Sequence, residues 1–220
     1  MICSLCNQEL NTTIRFCQLL TLVDQEDSLC STCMENFQTI SNCHCPTCYK
    51  EGEETTCSDC SFWQQEGIEV SHRALYRYND AMKSYFSSYK FEGDYELRKV
   101  FSRTLKSVLK SYKGYTFVPV PLSPERLKKR GFNQVEGLLE AGKIPYQNLL
   151  EKTETKASSS KNRVERLESD FHFTIKKDCQ LPEKILLFDD IYTTGATLNR
   201  IKKLLLEAGC QKIDTFSLAR

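Results

Sequence analysis

The run Ile185-Leu186-Leu187-Phe188-Asp189-Asp190-Ile191-Tyr192-Thr193-Thr194-Gly195-Ala196-Thr197-Leu198 places two carboxylates after four apolar residues, then hydroxyls and a glycine. Each part has a chemical use. Ligands of open parallel sheets bind beyond the carboxyl ends of the strands. A helix N-terminus offers unpaired N–H groups and the positive end of its dipole to a phosphate. Gly195 permits close approach of the backbone, and Thr193, Thr194 and Thr197 add hydroxyl donors. A loop that grips phosphate beside carboxylates that hold polyol hydroxyls describes a sugar-phosphate site.

A second chemistry lies in the cysteines. Ten of the twelve fall between Cys3 and Cys60, and eight of these form four pairs of one spacing: Cys3/Cys6, Cys30/Cys33, Cys45/Cys48 and Cys57/Cys60. Two intervening residues let both thiolates of a knuckle turn onto one ion at about 2.3 Å, and tetrahedral zinc takes two knuckles. The simplest grouping is sequential: Cys3, Cys6, Cys30 and Cys33 on one structural zinc, and Cys45, Cys48, Cys57 and Cys60 on another. Cross-bracing of alternate pairs is the other arrangement. A disulfide framework would need a secretory context, which the N-terminal residues do not suggest. Cys17 and Cys43 lie outside the pairs; His44, between Cys43 and Cys45, could substitute as a ligand, and the plainer reading is a surface histidine. Phe62 and Trp63 are expected to pack against the second knuckle.

These groups must be positioned by regular elements. Residues 184–190 read as a buried strand, 196–208 as an amphipathic helix stopped by Gly209, and 213–218 as a last strand, together a right-handed parallel unit. Residues 117–121 read as a second buried strand leaving into a loop, and 72–78 as a short aromatic strand. Asn79 or Asp80 caps a helix to residue 89, followed by a turn over 90–94. Asp94 then caps a helix with apolar residues at Leu97, Val100, Phe101, Leu105, Val108, Leu109 and Tyr112, stopped by Gly114. A helix over 134–141 and a short strand at Leu149-Leu150 follow. The polar stretch 151–170 reads as a mobile loop, helical in part near residues 163–167. The fold class expected is α/β, a parallel sheet flanked by helices, with a small N-terminal zinc-binding module.

Composition agrees. With 40% hydrophobic and 27% charged residues in 220, the chain has material for a core and is not disordered. No apolar run reaches the roughly 18 residues of a membrane span. The net charge of +1 conceals a split: residues 1–69 carry two basic and eleven acidic side chains, whereas 70–220 carry 28 and 18. The expected division is a zinc module over 1–69 and a main body over 70–220.

The run 185–198 resembles, over its whole length, the 5-phosphoribosyl-1-pyrophosphate (PRPP) motif of type I phosphoribosyltransferases. The resemblance implies that Asp189 and Asp190 hold ribose hydroxyls, that Thr193, Thr194, Gly195, Ala196 and Thr197 wrap the 5′-phosphate, and that Mg²⁺ accompanies the pyrophosphate. By position in that fold, Pro121, Leu122 and Ser123 form the pyrophosphate loop, and 151–170 falls where those enzymes carry a flexible catalytic loop. The run 118–123, Arg126, the run 130–134, Tyr78-Asn79-Asp80 and the turn 90–94, together with the cysteine pairs, resemble the ComF family of competence proteins over nearly the whole chain. That implies a role in natural transformation: a cytoplasmic protein, not membrane-spanning, that handles incoming single-stranded DNA at the inner face of the membrane beside the helicase-like ATPase ComFA.

Between Arg98 and Arg130 stand ten basic residues and one acid, Glu125. Lys99, Arg103, Lys106, Lys110 and Lys113 fall at helical spacing on one flank. Arg126, Lys128, Lys129 and Arg130 follow the Pro-Val-Pro strand, with Phe101, Tyr112, Tyr115 and Phe132 nearby. Such a surface could track a phosphate backbone and stack bases; the plainer reading is a solvated helix face. No residue presents itself as a general base for a nucleobase. A working phosphoribosyltransferase of nucleotide salvage is therefore the alternative to the DNA-handling reading.

Overall fold

The computed structural model describes residues 2–10, 29–154, 171–177 and 179–220. Cys17 and most of the polar segment after residue 154 lie outside them. Two short helices, α1 (Ser31–Glu35) and α2 (Ser58–Gln65), each start at the first cysteine of a pair and contain the second. Strand β1 (His72–Tyr76) leads into α3 (Asp80–Ser87), capped by the Asn79 side chain, which accepts from the Met82 N–H. The next turns differ from expectation. Ser88–Glu92 widens into a π-turn closed by Gly93 at φ 77°, where a plain turn was expected. The single helix expected from Asp94 is broken into a 3₁₀ turn, Tyr95–Lys99, and α4 (Ser102–Leu109). The break falls where consecutive Val100 and Phe101 are both buried. Phe101 lies 5.0 Å from the rings of Phe37, Tyr76 and Tyr85.

Strand β2 (Thr116–Pro119) precedes a helix the hydrophobic pattern does not announce, α5 (Pro124–Arg130). Its signals are local ones: the Ser123 side chain caps it, proline stands at its start, Glu125 in its first turn, three basic residues in its last, and Gly131 at φ 84° ends it. Helix α6 (Gln134–Ala141) has the expected span. Strands β3 (Leu150–Glu154) and β4 (Phe171–Ile175) form an antiparallel pair, so the first residues of the stretch read as a loop are strand. Strand β5 (Lys184–Ile191), α7 (Ala196–Glu207) and β6 (Lys212–Ala219) complete the chain.

The main sheet has the order β1-β6-β5-β2 with every pair parallel. This is the expected α/β class. Strand β5 is central and buried on both faces, which is why it reads as an unbroken apolar run. Its side chains alternate between two cores. Leu186 and Phe188 join Phe216 and Leu218 on one face, against α3, α4 and α6. Ile185 and Leu187 join Ile213, Leu198, Ile201 and Leu205 on the other. The cysteine-rich segment supplies both: Cys3, Leu29 and Phe37 enter the first core, and Cys45, Cys48, Cys57 and Cys60 the second. The segment also shields the edge of β1, where the Ile40 N–H donates to Leu75 O and the Arg77 N–H to Gln38 O. Cys210 is buried in the second core, as a small apolar residue would be.

Candidate functional site

Because β2 and β5 run parallel, their carboxyl ends open on one side of the sheet, and the Val120 N–H still donates to Phe188 O as the two strands leave it. The alternation of β5 sends its two terminal carboxylates to opposite faces. Asp190, in register with Leu186 and Phe188, points to the side of α3 and α6. It is 6% exposed, and its Oδ2 accepts from Lys90 Nζ at 2.5 Å and Gln134 Nε2 at 2.8 Å. The Arg130 guanidinium donates in turn to Gln134 Oε1. Lys90 comes from the π-turn, an insertion that often marks functional positions. Asp189 faces the second core, and its Oδ1 accepts from the Asp190 N–H at 2.9 Å.

Burial, and then the neighbouring Asp190 carboxylate, push the Asp189 carboxyl up to about 7. A carboxyl raised above its unfolded value keeps its proton in the folded chain to higher pH. It therefore costs stability increasingly as pH rises from about 4 to 7, and fully above that. Asp189→Asn is expected to melt above the wild type at pH 8 and to converge with it toward pH 4, as read by thermal denaturation across that range.

The loop beyond β5 forms a cradle of about 50 Å³ lined by Asp189, Tyr192, Thr193, Thr194, Gly195, Ala196 and Thr197. Thr193 and Thr194 are exposed, and Ala196 opens the twelve-residue α7. Gly195 holds φ 80°. A Cβ there would stand 2.1 Å from Tyr192 Oη, so both its conformation and its neighbour demand glycine.

The residues expected as a pyrophosphate loop follow β2, in different surroundings. Ser123 is fully buried, its hydroxyl engaged as the α5 cap. Pro121 and Leu122 line a separate cavity of about 440 Å³ with Asn133, Glu136, Leu150 and Lys176. Arg126, Lys128 and Lys129 are exposed on α5, whereas Arg130 is half-buried and turned toward Gln134. The expected single basic flank is not formed. Lys99 stands on the 3₁₀ turn, paired with Glu96, and only Arg103 and Lys106 share α4. The aromatics expected beside it are largely core: Phe101 is fully buried, and Phe132 packs against Tyr89 and Tyr95. Phe91 is 76% exposed, with the Arg130 guanidinium 5.8 Å from its ring.

The cysteines gather in the sequential grouping. Cys3, Cys6, Cys30 and Cys33 form one cluster, and Cys45, Cys48, Cys57 and Cys60 the other, the Sγ atoms of each within 4.8 Å of one another. Cross-bracing is thereby set aside. Each cluster also has backbone N–H groups aimed at sulfur, from Cys30 to Cys3 Sγ and from Cys57 to Cys45 Sγ. Against the burial that raises them, such bonds draw the Cys3 thiol down to about 6, and the Thr47 hydroxyl together with such bonds does the same for Cys45, while burial pushes Cys33 and Cys48 up. Four thiols so close do not all ionise without a cation between them, and this donor set fits structural zinc. The second cluster is wholly buried, whereas Cys6 of the first is exposed. His44 stacks on Tyr49 and belongs to neither. Of the two aromatics expected against the second knuckle, Trp63 packs against that core, but Phe62 is 53% exposed. The residues not anticipated at the site are Lys90, Gln134, Trp63 and Arg220. Lys90 and Gln134 stood in runs singled out for other reasons, Trp63 was expected only to pack against the second knuckle, and Arg220 had no trace in the sequence.

The site therefore joins paired carboxylates, a glycine-capped helix start and two cysteine clusters on an α/β sheet. No family model matches the chain. Among curated proteins, it is 54% identical over 220 residues to the competence protein ComFC of Streptococcus pneumoniae, covering all of both chains. It is 33% identical to ComFC of Bacillus subtilis, over all of this chain and 95% of that one. It is 27% identical to competence protein F of Haemophilus influenzae, over 89% and 91%. The chain belongs to the ComFC family of competence proteins. Among solved structures, a hypoxanthine phosphoribosyltransferase of Staphylococcus aureus is similar at a TM-score of 0.37 and 16% identity, over 56% of this chain and 63% of that one. No helix among the described residues is long and apolar enough to cross a membrane.

Proposed function

We propose that this protein acts in natural transformation by handling incoming single-stranded DNA on the cytoplasmic side of the membrane, and that it carries a PRPP-type sugar-phosphate site. The observation that carries the site is the convergence, at the end of one central strand, of Asp189 and a glycine-capped helix start, with Asp190 next to them on the strand's other face. In this reading Asp189 and Asp190 receive ribose hydroxyls, Thr193 to Thr197 the 5′-phosphate, and Pro121 to Ser123 border the pyrophosphate with its Mg²⁺. Lys90 and Arg130 add positive charge on the Asp190 side.

Exposed Arg126, Lys128 and Lys129, with Phe91 as a stacking platform, form the DNA-facing surface. The acidic cysteine-rich segment, residues 1–69, is the module offered to a protein partner, a ComFA-like ATPase. The family relationship supports the competence role, and the charge split supports the division of labour between 1–69 and 70–220.

Calorimetric titration of PRPP with Mg²⁺ tests the site. Binding is expected to the wild type and not to Asp189→Asn/Asp190→Asn. Absence of wild-type binding would refute the sugar-phosphate reading, and pyrophosphate release with a nucleobase acceptor would establish the salvage enzyme instead. For the DNA surface, Lys128→Glu/Lys129→Glu is expected to weaken single-strand binding about tenfold or more. It should also flatten the log–log salt dependence by about 1.4, two phosphate contacts at about 0.7 each. An unchanged slope would remove these lysines from the interface.

A further inference from the structure

The phosphate loop is fastened from beneath by the cysteine-rich segment. Trp63, on α2 three residues after Cys60, donates its Nε1–H to Thr194 O at 2.9 Å. Arg220 donates from Nη1 to Thr193 O at 2.8 Å. Its Nη2 lies 3.8 Å from Asp59, one of the two residues between Cys57 and Cys60. The same guanidinium covers the Tyr192 ring, 4.5 Å from its centroid, and its side chain is only 6% exposed. Tyr192 in turn stacks on His72 at 3.9 Å and backs Gly195. Both carbonyls of the Thr193-Thr194 pair are thus held from the side of the second cysteine cluster. A peptide plane whose carbonyl is tied down on one side has the N–H of the next residue directed to the other. Holding these two planes presents the N–H groups of Thr194 and Gly195 to the cradle.

We propose that Trp63 and Arg220 are positioning residues that couple the Cys45–Cys48–Cys57–Cys60 cluster to the phosphate loop, so that an anion in the cradle and an intact cluster stabilise one another. This rests on the sugar-phosphate reading of the loop. The coupling is reciprocal, because a shift in one affinity caused by the other site must be matched in return. The first cluster, packed in the opposite core, has no such connection among the described contacts and serves as an internal control.

The test uses the full-length protein, iodoacetamide and PRPP with Mg²⁺. Peptide mass spectrometry follows the alkylation rate of each cysteine. PRPP is expected to slow alkylation of Cys45, Cys48, Cys57 and Cys60 severalfold and to leave Cys3, Cys6, Cys30 and Cys33 unchanged. Trp63→Phe keeps the ring and removes only the donor. It is expected to weaken PRPP binding about fivefold, as loss of one hydrogen bond does, and to reduce the selective protection. Arg220→Lys keeps the charge without the fork and should act in the same direction. Independently of any ligand, amide hydrogen exchange over residues 193–197 should be faster in both variants. Equal protection of both clusters, or variants with wild-type affinity and exchange, would overturn the coupling. If the wild type binds no PRPP, the sugar-phosphate reading falls, and the exchange measurement alone decides whether Trp63 and Arg220 hold the loop.

Discussion

Lys90→Met is expected to destabilise the protein by about 3–5 kcal/mol at neutral pH. The substitution keeps the length of the stem and removes the charge that faces Asp190. The pair is well shielded, with side chains 13% and 9% exposed, and removing one partner of a buried pair leaves the other charge uncompensated. Gln134 still donates to the same oxygen, which sets the outcome toward the lower end of the range. The double variant Lys90→Met/Asp190→Asn should recover most of the loss, because the orphaned charge is then gone. Urea denaturation of the wild type, both single variants and the double variant closes the cycle. A coupling energy below about 1 kcal/mol would mean that the two groups do not act as a pair. PRPP titration of the same variants separates stability from binding, since Lys90 is also proposed to add positive charge to the sugar-phosphate site.

Cys48→Ser is expected to have the larger effect. A structural zinc site contributes apparent folding energy on the order of 10–16 kcal/mol in isolated modules, comparable to the whole stability of an ordinary domain. Here the ligands are also core residues: Cys48 is completely buried among side chains of both the cysteine-rich segment and the main sheet. Losing the second cluster should therefore lower the melting temperature of the whole protein by on the order of 10 °C or more. Cys6→Ser, at an exposed position, is expected to cost less, and a chelator should strip the first cluster before the second. Metal content by elemental analysis, followed alongside circular dichroism, checks both. A melting temperature unchanged by Cys48→Ser would show that the second cluster is incidental to folding.

What could be read from the chain alone follows from how local each signal is. The strand 184–190 and the helix after it are legible because a central strand must be apolar throughout and a surface helix must be apolar at intervals. Pairs of cysteines two residues apart leave little freedom in what they build. Asp189 and Asp190 are adjacent in the same motif, yet their different roles depend on strand parity: one faces Lys90 and Gln134, the other the opposite core. Lys90 could not be assigned because its partner is a hundred residues away and its direction depends on a π-turn. Trp63 and Arg220 act on a loop carbonyl, and a backbone acceptor has no letter in the sequence. The helix at 124–130 was hidden for the converse reason: it buries none of its residues, so it has no apolar stripe, and only its caps reveal it.

The register of the sheet has a consequence for how the chain reaches this state. Strand β1 pairs with β6, and His72 bonds to Thr215 and Ser217 across 143 and 145 residues. Contacts of such separation are closed late and slowly, because the entropy of the intervening loop is lost before they are gained. The second cysteine cluster closes within a span of 15 residues. It is therefore expected to form early, as an anchor onto which the far end of the chain docks. Refolding without metal should lose this anchor and leave the slow search unassisted. Metal would then set the rate at which the protein folds as well as its resistance to unfolding.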